Sequence, residues 1–519
     1  MPPTYVLNEG KWLMKLAELF QNHMVIQREK NTKIWGECAS ENDIIIEIQG
    51  KRTIAKAENG YFIAELPPLT ASLSERLCVS CGSEKIIVED VAVGEVWLAG
   101  GQSNMEFQML FDDAYEQECG QCENPMIRFF DYPEVSYEGQ REDFDYSEMS
   151  VWRLCDKENL KFFSAPAYYM AKEIAGKLKV PVGILGCNWG GTTASAWMSE
   201  DYLKRHGQVW IDDYNNGLKK ITDLEAYKED FKNNPANGRG RLLEDPVTLF
   251  LMPKPGLSLM EQRKFMEKMG IVEGETLVDG PYSEKRPSGL YHTMLEKVAP
   301  YTVRGVLWYQ GESDELHADI YKDVLSDMIE CWRALWTEKL PFIIAQIAPF
   351  ERWMLCSGEK FPVIRQAQYD VSKSVEDVFM ISTSDVGMQY DIHPKRKEPV
   401  GIRMALSALR YVYGEDVCAD APEAVSLAYE DGMLCITFRY AEGGLVLKGE
   451  KIQALAVRCE GEEADISLAK IKGNQILIPV KESCTYDVQF AQTDYYEVNL
   501  YNQAGLPAVP FVLKIGGLK

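Results

Sequence analysis

The sequence predicts an α/β protein whose central domain is flanked along the chain by two small β domains. Short β-branched and aromatic runs fill residues 1–91, strands alternate with helices over 92–418, and strand-like runs return over 419–519. Alternation of strands and helices is typical of a parallel sheet that carries helices on both faces. An apolar fraction of 46% in 519 residues is ordinary for a globular protein and supplies the core that such domains need.

The two outer domains are predicted from short runs that Gly, Asn, Asp, Ser and Pro separate. Residues 43–49 and 61–66 are examples near the N-terminus, and 435–440 and 475–480 are examples near the C-terminus. Runs of this length and composition favour antiparallel strands in a small sandwich-like fold.

The central domain is predicted element by element from its apolar periodicity. The predicted strands lie at 96–99, 127–130, 180–185, 303–308, 342–347 and 378–382, and the predicted helices at 164–179, 321–336, 363–374 and 399–413. Ser164 is placed to cap its helix, and Pro399 and Gly414 mark the start and end of the last one. Residues 201–290 break the rhythm and predict an insertion of helices and loops that forms a lid or substrate wall.

The charge balance excludes several classes of partner. The chain has 55 Lys and Arg against 79 Asp and Glu, a net charge of −24, with a pI near 4.8. Binding to nucleic acid or to an anionic membrane needs a surplus of basic residues, so neither is expected. Acidity of this kind suits a neutral or weakly charged substrate. Association into a homo-oligomer is compatible with this charge.

Targeting and cysteine content predict a cytoplasmic protein. No apolar run approaches the ~18 residues of a membrane span, and no signal peptide is visible in residues 1–20. The 13 cysteines are scattered and odd in number, which favours free thiols in a reducing compartment. Two C-x-x-C pairs, at 78–81 and 119–122, are too far apart in sequence to favour a zinc site, so neither metal nor cofactor is expected.

Chemically complementary residues follow four of the predicted strands. Ser103 follows Gly100-Gly101, a Gly190-Gly191 turn follows the strand at 180–185, Gln310 follows 303–308, and His393 with Asp391 comes after 378–382. Ligands of open α/β sheets bind beyond the carboxyl ends of the strands. A nucleophile, oxyanion donors and a general base are the groups that acyl transfer requires. Each segment alone is typical of an ordinary turn, and only the set favours catalysis.

The scarcity of histidine supports His393 as the base. There are only five histidines: His23, His206, His292, His317 and His393. A serine hydroxyl needs a base that titrates near the working pH, and histidine is the usual choice. Only His393 follows a predicted strand end and has a carboxylate two residues before it; His317 is the rival.

These segments carry a resemblance to a known family. The segments at 101–105, 189–192, 308–313 and 391–394 (Gly-Gln-Ser-Asn-Met, Trp-Gly-Gly-Thr, Trp-Tyr-Gln-Gly-Glu-Ser and Asp-Ile-His-Pro) resemble the blocks of the sialate O-acetylesterase-like carbohydrate esterases. Residues 19–27 and 91–97 are similar to that family's N-terminal region, so the resemblance covers roughly residues 16–415. It implies an SGNH-type three-layer α/β/α parallel-sheet domain with flanking β domains, and a metal-independent esterase that removes acetyl groups from sugars.

The resemblance also assigns roles by position. It implies that Ser103 is the nucleophile and His393 the general base, and that the oxyanion is held by the N–H of Ser103, the N–H of Gly190 or Gly191, and the amide of Gln310. We further expect four residues in or directly after these segments to bind the acetylated sugar: Asn104, Trp189, Glu312 and Asp314.

The acid that would complete a Ser–His–Asp triad departs from the pattern of the SGNH hydrolase superfamily, to which the resembling family belongs. The usual spacing is Asp-x-x-His, but Tyr390 stands three residues before His393 and Asp391 only two. Asp391 is the favoured acid, Asp385 is the alternative, and a Ser–His pair without an acid is the third arrangement.

Three other functions compete with this hypothesis. An esterase of the same family that acts on acetylated xylan or mannan oligosaccharides fits the segments equally well. A noncatalytic carbohydrate-binding protein is disfavoured by the intact Ser103 and His393. A metallo-hydrolase is weaker, since the sequence has no H-E-x-x-H motif and no cluster of histidines.

Overall fold

The computed structural model describes residues 4–6, 14–233, 252, 256–269, 278–480 and 485–516, and it shows a mixed α/β protein with several sheets. The chain forms two compact units. The first comprises residues 1–254, 277–310 and 323–342, and the second comprises 255–276, 311–322 and 343–519.

A parallel sheet forms the centre of the first unit. Its strands follow the order Trp152–Cys155, Asn124–Asp131, Val182–Asn188, Glu84–Gly101 and Gly305–Tyr309. All neighbours pair in parallel except Trp152–Cys155, which runs antiparallel beside Asn124–Asp131. The predicted parallel sheet is therefore confirmed here. Because Asn188 and Tyr309 both pair with Gly101, the carboxyl ends of these strands meet at one edge.

The strand Glu84–Gly101 is 18 residues long and belongs to both the N-terminal β region and the parallel sheet. Its first part pairs antiparallel with Ser72–Cys81, and its last part lies between two parallel neighbours. Residues 91–101 are buried without interruption, as expected of a strand with packed faces on both sides. Residues 91 and 92, where the sequence predicts a domain boundary, both lie inside this strand.

The other N-terminal strands are short and mostly antiparallel, as predicted. The exception is Val25–Gln27, which runs parallel to Glu84–Gly101. The strands that the structure describes before residue 82 are Thr4–Val6, Met14–Leu16, Val25–Gln27, Thr32–Cys38, Ile44–Ile48, Lys51–Ala55, Tyr61–Leu66 and Ser72–Cys81.

Buried Glu95 ties the N-terminal region to the central strand. Its carboxylate accepts hydrogen bonds from Gln27, from Arg28 Nε at 2.6 Å and from Arg304 Nε at 2.6 Å. Burial raises the pKa of this carboxyl, but its two arginine partners and Gln27 outweigh that effect, so its pKa lies below the ordinary value. Breaking a buried ion pair by removing one partner typically costs about 3–5 kcal/mol.

The helices of the first unit include the predicted one at 164–179, which spans Ala165–Leu178. Ser164 caps it as expected, since its hydroxyl accepts the N–H of Ala167 at 3.4 Å. The other described helices are Ser103–Glu106, Met109–Phe111, Tyr115–Cys119, Gln140–Asp143, Leu160–Phe162, Ala194–Trp197, Glu200–His206, Gln208–Leu218, Leu224–Asn233, Tyr291–Leu295 and Glu296–Val298. The helix Tyr321–Trp336 has the bounds that the sequence predicts, and residues 323–336 of it belong to this unit.

The second unit contains the remaining α/β elements and the C-terminal β region. The predicted helices at 363–374 and 399–413 are confirmed as Phe361–Ser374 and Glu398–Tyr411, with Pro399 in the first turn of the latter. The other elements of the α/β part are Leu259–Met269, Glu312–Ile320, Arg352–Trp353, Cys356–Ser357, Val378–Ile381 and the strand Phe342–Ala345, of which residues 343–345 belong to this unit.

The C-terminal region is all β, as predicted, and it packs around its own apolar core that includes Ile436, Phe438, Ile478 and Val488. Its described strands are Glu423–Glu430, Met433–Arg439, Leu445–Leu447, Leu455–Cys459, Glu462–Glu463, Lys470–Lys472, Gln475–Pro479, Tyr486–Phe490, Leu500–Asn502 and Phe511–Ile515.

The cysteines differ from the prediction at one described position. Eleven described cysteines are free, but Cys459 is disulfide-bonded, so the expectation of free thiols is wrong there. Scattered cysteines reveal no pairing in sequence, because proximity depends on the fold. In the described ranges, no group of three or more His, Cys, Asp or Glu side chains could hold a metal ion. No described helix is long and apolar enough to cross a bilayer. The cytoplasmic location stays a prediction.

Candidate active site

Ser103 lies at the carboxyl end of the long central strand, where the chain turns sharply. Gly101 has φ +139°, and a Cβ there would lie 2.2 Å from the carbonyl oxygen of Tyr309, so this position requires glycine. The N–H of Gln102 donates to the same oxygen at 3.1 Å. Ser103 keeps partial exposure between buried Gln102 and Asn104, so the turn presents a serine at the sheet edge.

The turn after the strand Val182–Asn188 packs directly against Ser103. A Cβ placed on Gly190 would lie 3.3 Å from the Cβ of Ser103 and 3.2 Å from Glu106 Oε2. The Gly190 N–H already donates to Glu106 Oε2 at 2.7 Å. Of the two oxyanion donors that the sequence left open, Gly190 is therefore engaged with a carboxylate, which favours Gly191.

Two carboxyl groups near this turn were missed by the sequence analysis. Burial, only partly offset by hydrogen bonds from Gly190 and Gln108, raises the pKa of Glu106 to about 7. Burial and then the charge of Glu106 raise the pKa of Asp131 to about 8, although Arg153 opposes this. The signal was available, since Asp131 follows a predicted strand and Glu106 lies three residues after Ser103. Shifts of this kind concentrate at functional sites.

Gln310 lies beside the same turn. It is fully buried directly after the strand Gly305–Tyr309, and its Nε2 donates to the carbonyl of Thr192 at 3.1 Å. Thr192 is fixed in turn, because its hydroxyl donates to the carbonyl of Trp189 and accepts the indole N–H of Trp197. An amide nitrogen carries two N–H bonds, and the one donated to Thr192 fixes the orientation of the Gln310 side chain.

His393 is the buried histidine of the second unit. Its ring packs edge-on against Trp353, with ring centroids 5.0 Å apart. Its backbone N–H donates to Asp391 Oδ1 at 2.8 Å, and the same oxygen lies 3.6 Å from His393 Nδ1. The separation of Nδ1 and Oδ1 is slightly longer than a hydrogen bond, and such catalytic contacts are often long before substrate binds. Asp391 thus lies within reach of the imidazole despite its shorter spacing in sequence.

Asp385, the alternative acid, is engaged elsewhere. Both of its carboxylate oxygens pair with Arg403, at 2.8 and 2.9 Å, on the helix Glu398–Tyr411. A bidentate pair with an arginine fixes a carboxylate in place. Of the two candidate acids, Asp391 is the one that the structure places beside His393.

Lys395 is a further residue that the sequence analysis missed. Its Nζ lies 2.9 Å from Asp391 Oδ2, and both side chains are buried. The only sequence signal is that Asp391, His393 and Lys395 stand at every second position of this segment.

Comparisons with known proteins show which proteins this chain resembles. Residues 269–410 match the family model described as carbohydrate esterase, sialic acid-specific acetylesterase. The sialate O-acetylesterase of Homo sapiens is 24% identical over 546 residues, which cover 96% of this chain and 92% of the relative. That of Mus musculus is 24% identical over 82% of this chain and 79% of its own.

A solved structure supports the fold. A carbohydrate acetylesterase from Xanthomonas citri superposes with a TM-score of 0.73 at 23% identity, covering 96% of this chain and 99% of the other. The chain is an esterase that resembles the sialate O-acetylesterases. The resemblance that the four segments predict is thereby confirmed.

The remaining four histidines of this esterase are at least partly exposed. His23 pairs with Asp90, His206 with Asp327, and His292 with two glutamates. His317, the rival base, lies in the short helix Glu312–Ile320 and is partly exposed. His393 is the one buried histidine of the five, all of which are described.

The esterase residues expected to bind sugar are buried. Asn104 and Trp189 lie in the first unit, and Glu312 and Asp314 lie in the short helix of the second. Their role in substrate binding stays a prediction. Trp308 packs edge-on against Trp332 in the core.

Part of the predicted insertion contacts the His393 loop. A Cβ on Gly256 would lie 2.4 Å from Asp391 Oδ2, so this segment covers the carboxylate closely. Gln262 donates to the carbonyl of Tyr390 at 2.8 Å and accepts the N–H of Met354 at 2.8 Å. Residues 256–269 of the esterase therefore support the loop that carries its candidate base.

Gln310 provides a prediction about the oxyanion site. We expect Gln310→Ala to lower kcat on an acetyl ester by roughly 10²–10³-fold with a much smaller change in KM, because an oxyanion donor acts in the transition state. Gln310→Glu should lower kcat by a similar factor, since it keeps the length of the side chain but not the NH₂ group. Exposed Gln366→Ala is the control, and steady-state kinetics are the measurement. A wild-type kcat in both Gln310 variants would remove Gln310 from the oxyanion site.

Proposed function

We propose that this esterase removes O-acetyl groups from sugars through an acetyl-enzyme formed on Ser103, with His393 as general base. The observation that carries this proposal is the presentation of Ser103 at a sheet edge beside the Gly190–Gly191 turn and Gln310. The buried pair of Asp391 and His393 supplies the second half of the chemistry. Ser103 belongs to the first unit and His393 to the second, so their cooperation is part of the proposal.

The proposed reaction has two steps. His393 takes the proton of the Ser103 hydroxyl while Oγ attacks the acetyl carbonyl, and the imidazolium then protonates the leaving sugar oxygen. Water, activated by the same histidine, then attacks the acetyl-enzyme, releases acetate and restores the serine. The N–H groups of Ser103 and Gly191 and the amide of Gln310 hold the oxyanion in both steps. Asp391 orients the imidazole and stabilises its charged form.

We propose an SGNH-type three-layer arrangement for the catalytic domain. The parallel strands of the first unit and the delivery of candidate residues at their carboxyl ends support it.

The proposed substrate is an O-acetylated sialic acid. The mammalian relatives named as sialate O-acetylesterases and the match of residues 269–410 support this choice. Acetylated xylo- and manno-oligosaccharides remain the alternative class, since the chemistry at Ser103 is the same for any sugar acetate.

A screen of acetylated substrates tests the sugar class. We expect acetate release from O-acetylated sialic acids with a kcat/KM at least tenfold above that for acetylated xylo- and manno-oligosaccharides. p-Nitrophenyl acetate serves as the control for an active serine. The reverse preference would transfer the assignment to plant oligosaccharides, and no turnover of any ester would favour a noncatalytic binding protein.

A further inference from the structure

The loop that carries His393 contains an unusual series of buried ionisable side chains. Asp391, His393, Lys395 and Lys397 occupy alternate positions and are only 1%, 5%, 3% and 0% exposed, respectively. Lysine is almost never fully buried without a partner, because removing an ammonium from water costs free energy. Two buried lysines directly after a candidate catalytic histidine therefore call for an account of what their charges do.

The contacts of Asp391 connect this series. Its Oδ2 lies 2.9 Å from Lys395 Nζ, while its Oδ1 accepts the backbone N–H of His393 and lies 3.6 Å from Nδ1. The two oxygens of one carboxylate therefore face two different cations or potential cations. Rotation of the carboxylate would break both sets of contacts at once.

We propose that Lys395 is a positioning residue for the general base: it holds Asp391 Oδ2, so that Oδ1 faces His393, and its charge favours the neutral imidazole of the resting enzyme. This inference rests on the proposed function, in which the imidazole must be neutral to accept the proton of Ser103.

The electrostatics of the loop agree with this role. Burial, the largest influence, lowers the pKa of His393; Asp391 opposes this, and Lys395 and Lys397 lower the pKa further. Burial raises the pKa of Asp391, but His393 and Lys395 outweigh it, so the carboxyl stays ionised. Of the elements packed on the loop, Trp353 contributes an aromatic ring and Gly256 a backbone segment, and neither is charged.

The direction in which Lys395 shifts the pKa of His393 follows from its positive charge. A histidine with a lowered pKa remains neutral, and so able to act as a base, down to a lower pH. Removing the charge of Lys395 should raise the pKa of His393 and so move the acidic limb of the pH–rate profile to higher pH.

Kinetics of Lys395 variants test the proposal. We expect Lys395→Met, which keeps most of the volume, to shift the acidic limb of kcat/KM upward by about 1 pH unit. Lys395→Arg should leave the midpoint near that of the wild type. Arg396→Met removes an exposed charge from the same loop and should not move it. If Lys395→Met lowers kcat/KM equally at every pH and leaves the midpoint of the acidic limb unchanged, the role of Lys395 is merely structural and the proposal is overturned.

An NMR titration of the histidines separates this inference from the proposed reaction. The Cε1–H signal of His393, assigned by its loss in His393→Asn, is titrated in the Ser103→Ala background with and without Lys395→Met. We expect the midpoint to rise when Lys395 is removed, whether or not Ser103 proves to be the nucleophile. An unchanged midpoint would overturn the role of Lys395 even if hydrolysis depends on Ser103. Thermal unfolding of each variant verifies that it is folded.

Discussion

Ser103→Ala is expected to lower kcat/KM for acetyl esters by roughly four to six orders of magnitude, since loss of a serine nucleophile removes the acyl-enzyme route. The variant should fold normally, because Ser103 is partly exposed and alanine keeps its Cβ against Gly190. Acetate release and p-nitrophenyl acetate hydrolysis, compared with thermal unfolding, provide the measurement.

The matched control is Ser313→Ala, which alters the other serine of the resembling segments, for which no chemical role is proposed. It should retain activity close to that of the wild type. Ordinary hydrolysis by Ser103→Ala, in a preparation free of wild-type enzyme, would place the nucleophile elsewhere.

The sequence predicts the parallel strands and the helices around them because their apolar periodicity is strong and local. The helix Tyr321–Trp336 shows this, since six of its apolar residues recur at helical spacing and its bounds match the prediction. The continuity of Glu84–Gly101 is not predicted, because a strand buried on one face at its start and on both at its end changes pattern midway.

The candidate site, like the fold, is only partly predictable from the sequence. Ser103, Gln310 and His393 are found from sequence because each follows a strand or lies in a resembling segment. The engagement of the Gly190 N–H by Glu106 and the contact of Lys395 with Asp391 are not found. In both contacts, the direction in which the side chain points is set by the conformation of the folded loop. Periodicity identifies elements, but it does not say which donor a carboxylate accepts.

His393→Asn is the second change of large expected effect. Asparagine has no titratable nitrogen, so it cannot accept the serine proton, and we expect kcat/KM to fall by at least about 10⁴-fold. Since the pKa of His393 is lowered, wild-type activity should fall only as the pH drops below the ordinary histidine value of about 6.5. The residual activity of His393→Asn should not show this fall at low pH. His317→Asn, the rival base, is the control, and a large loss there with little loss in His393→Asn would reverse the assignment.

The double variant Ser103→Ala/His393→Asn tests whether the two residues act as one catalytic group. Residues that serve the same step are strongly non-additive, because removing either one already abolishes the route that both support. We therefore expect the double variant to retain about the same residual kcat/KM as either single variant. Independent roles would instead multiply the two losses. Because Ser103 and His393 belong to different units of the chain, this non-additivity is a direct chemical measure of their cooperation.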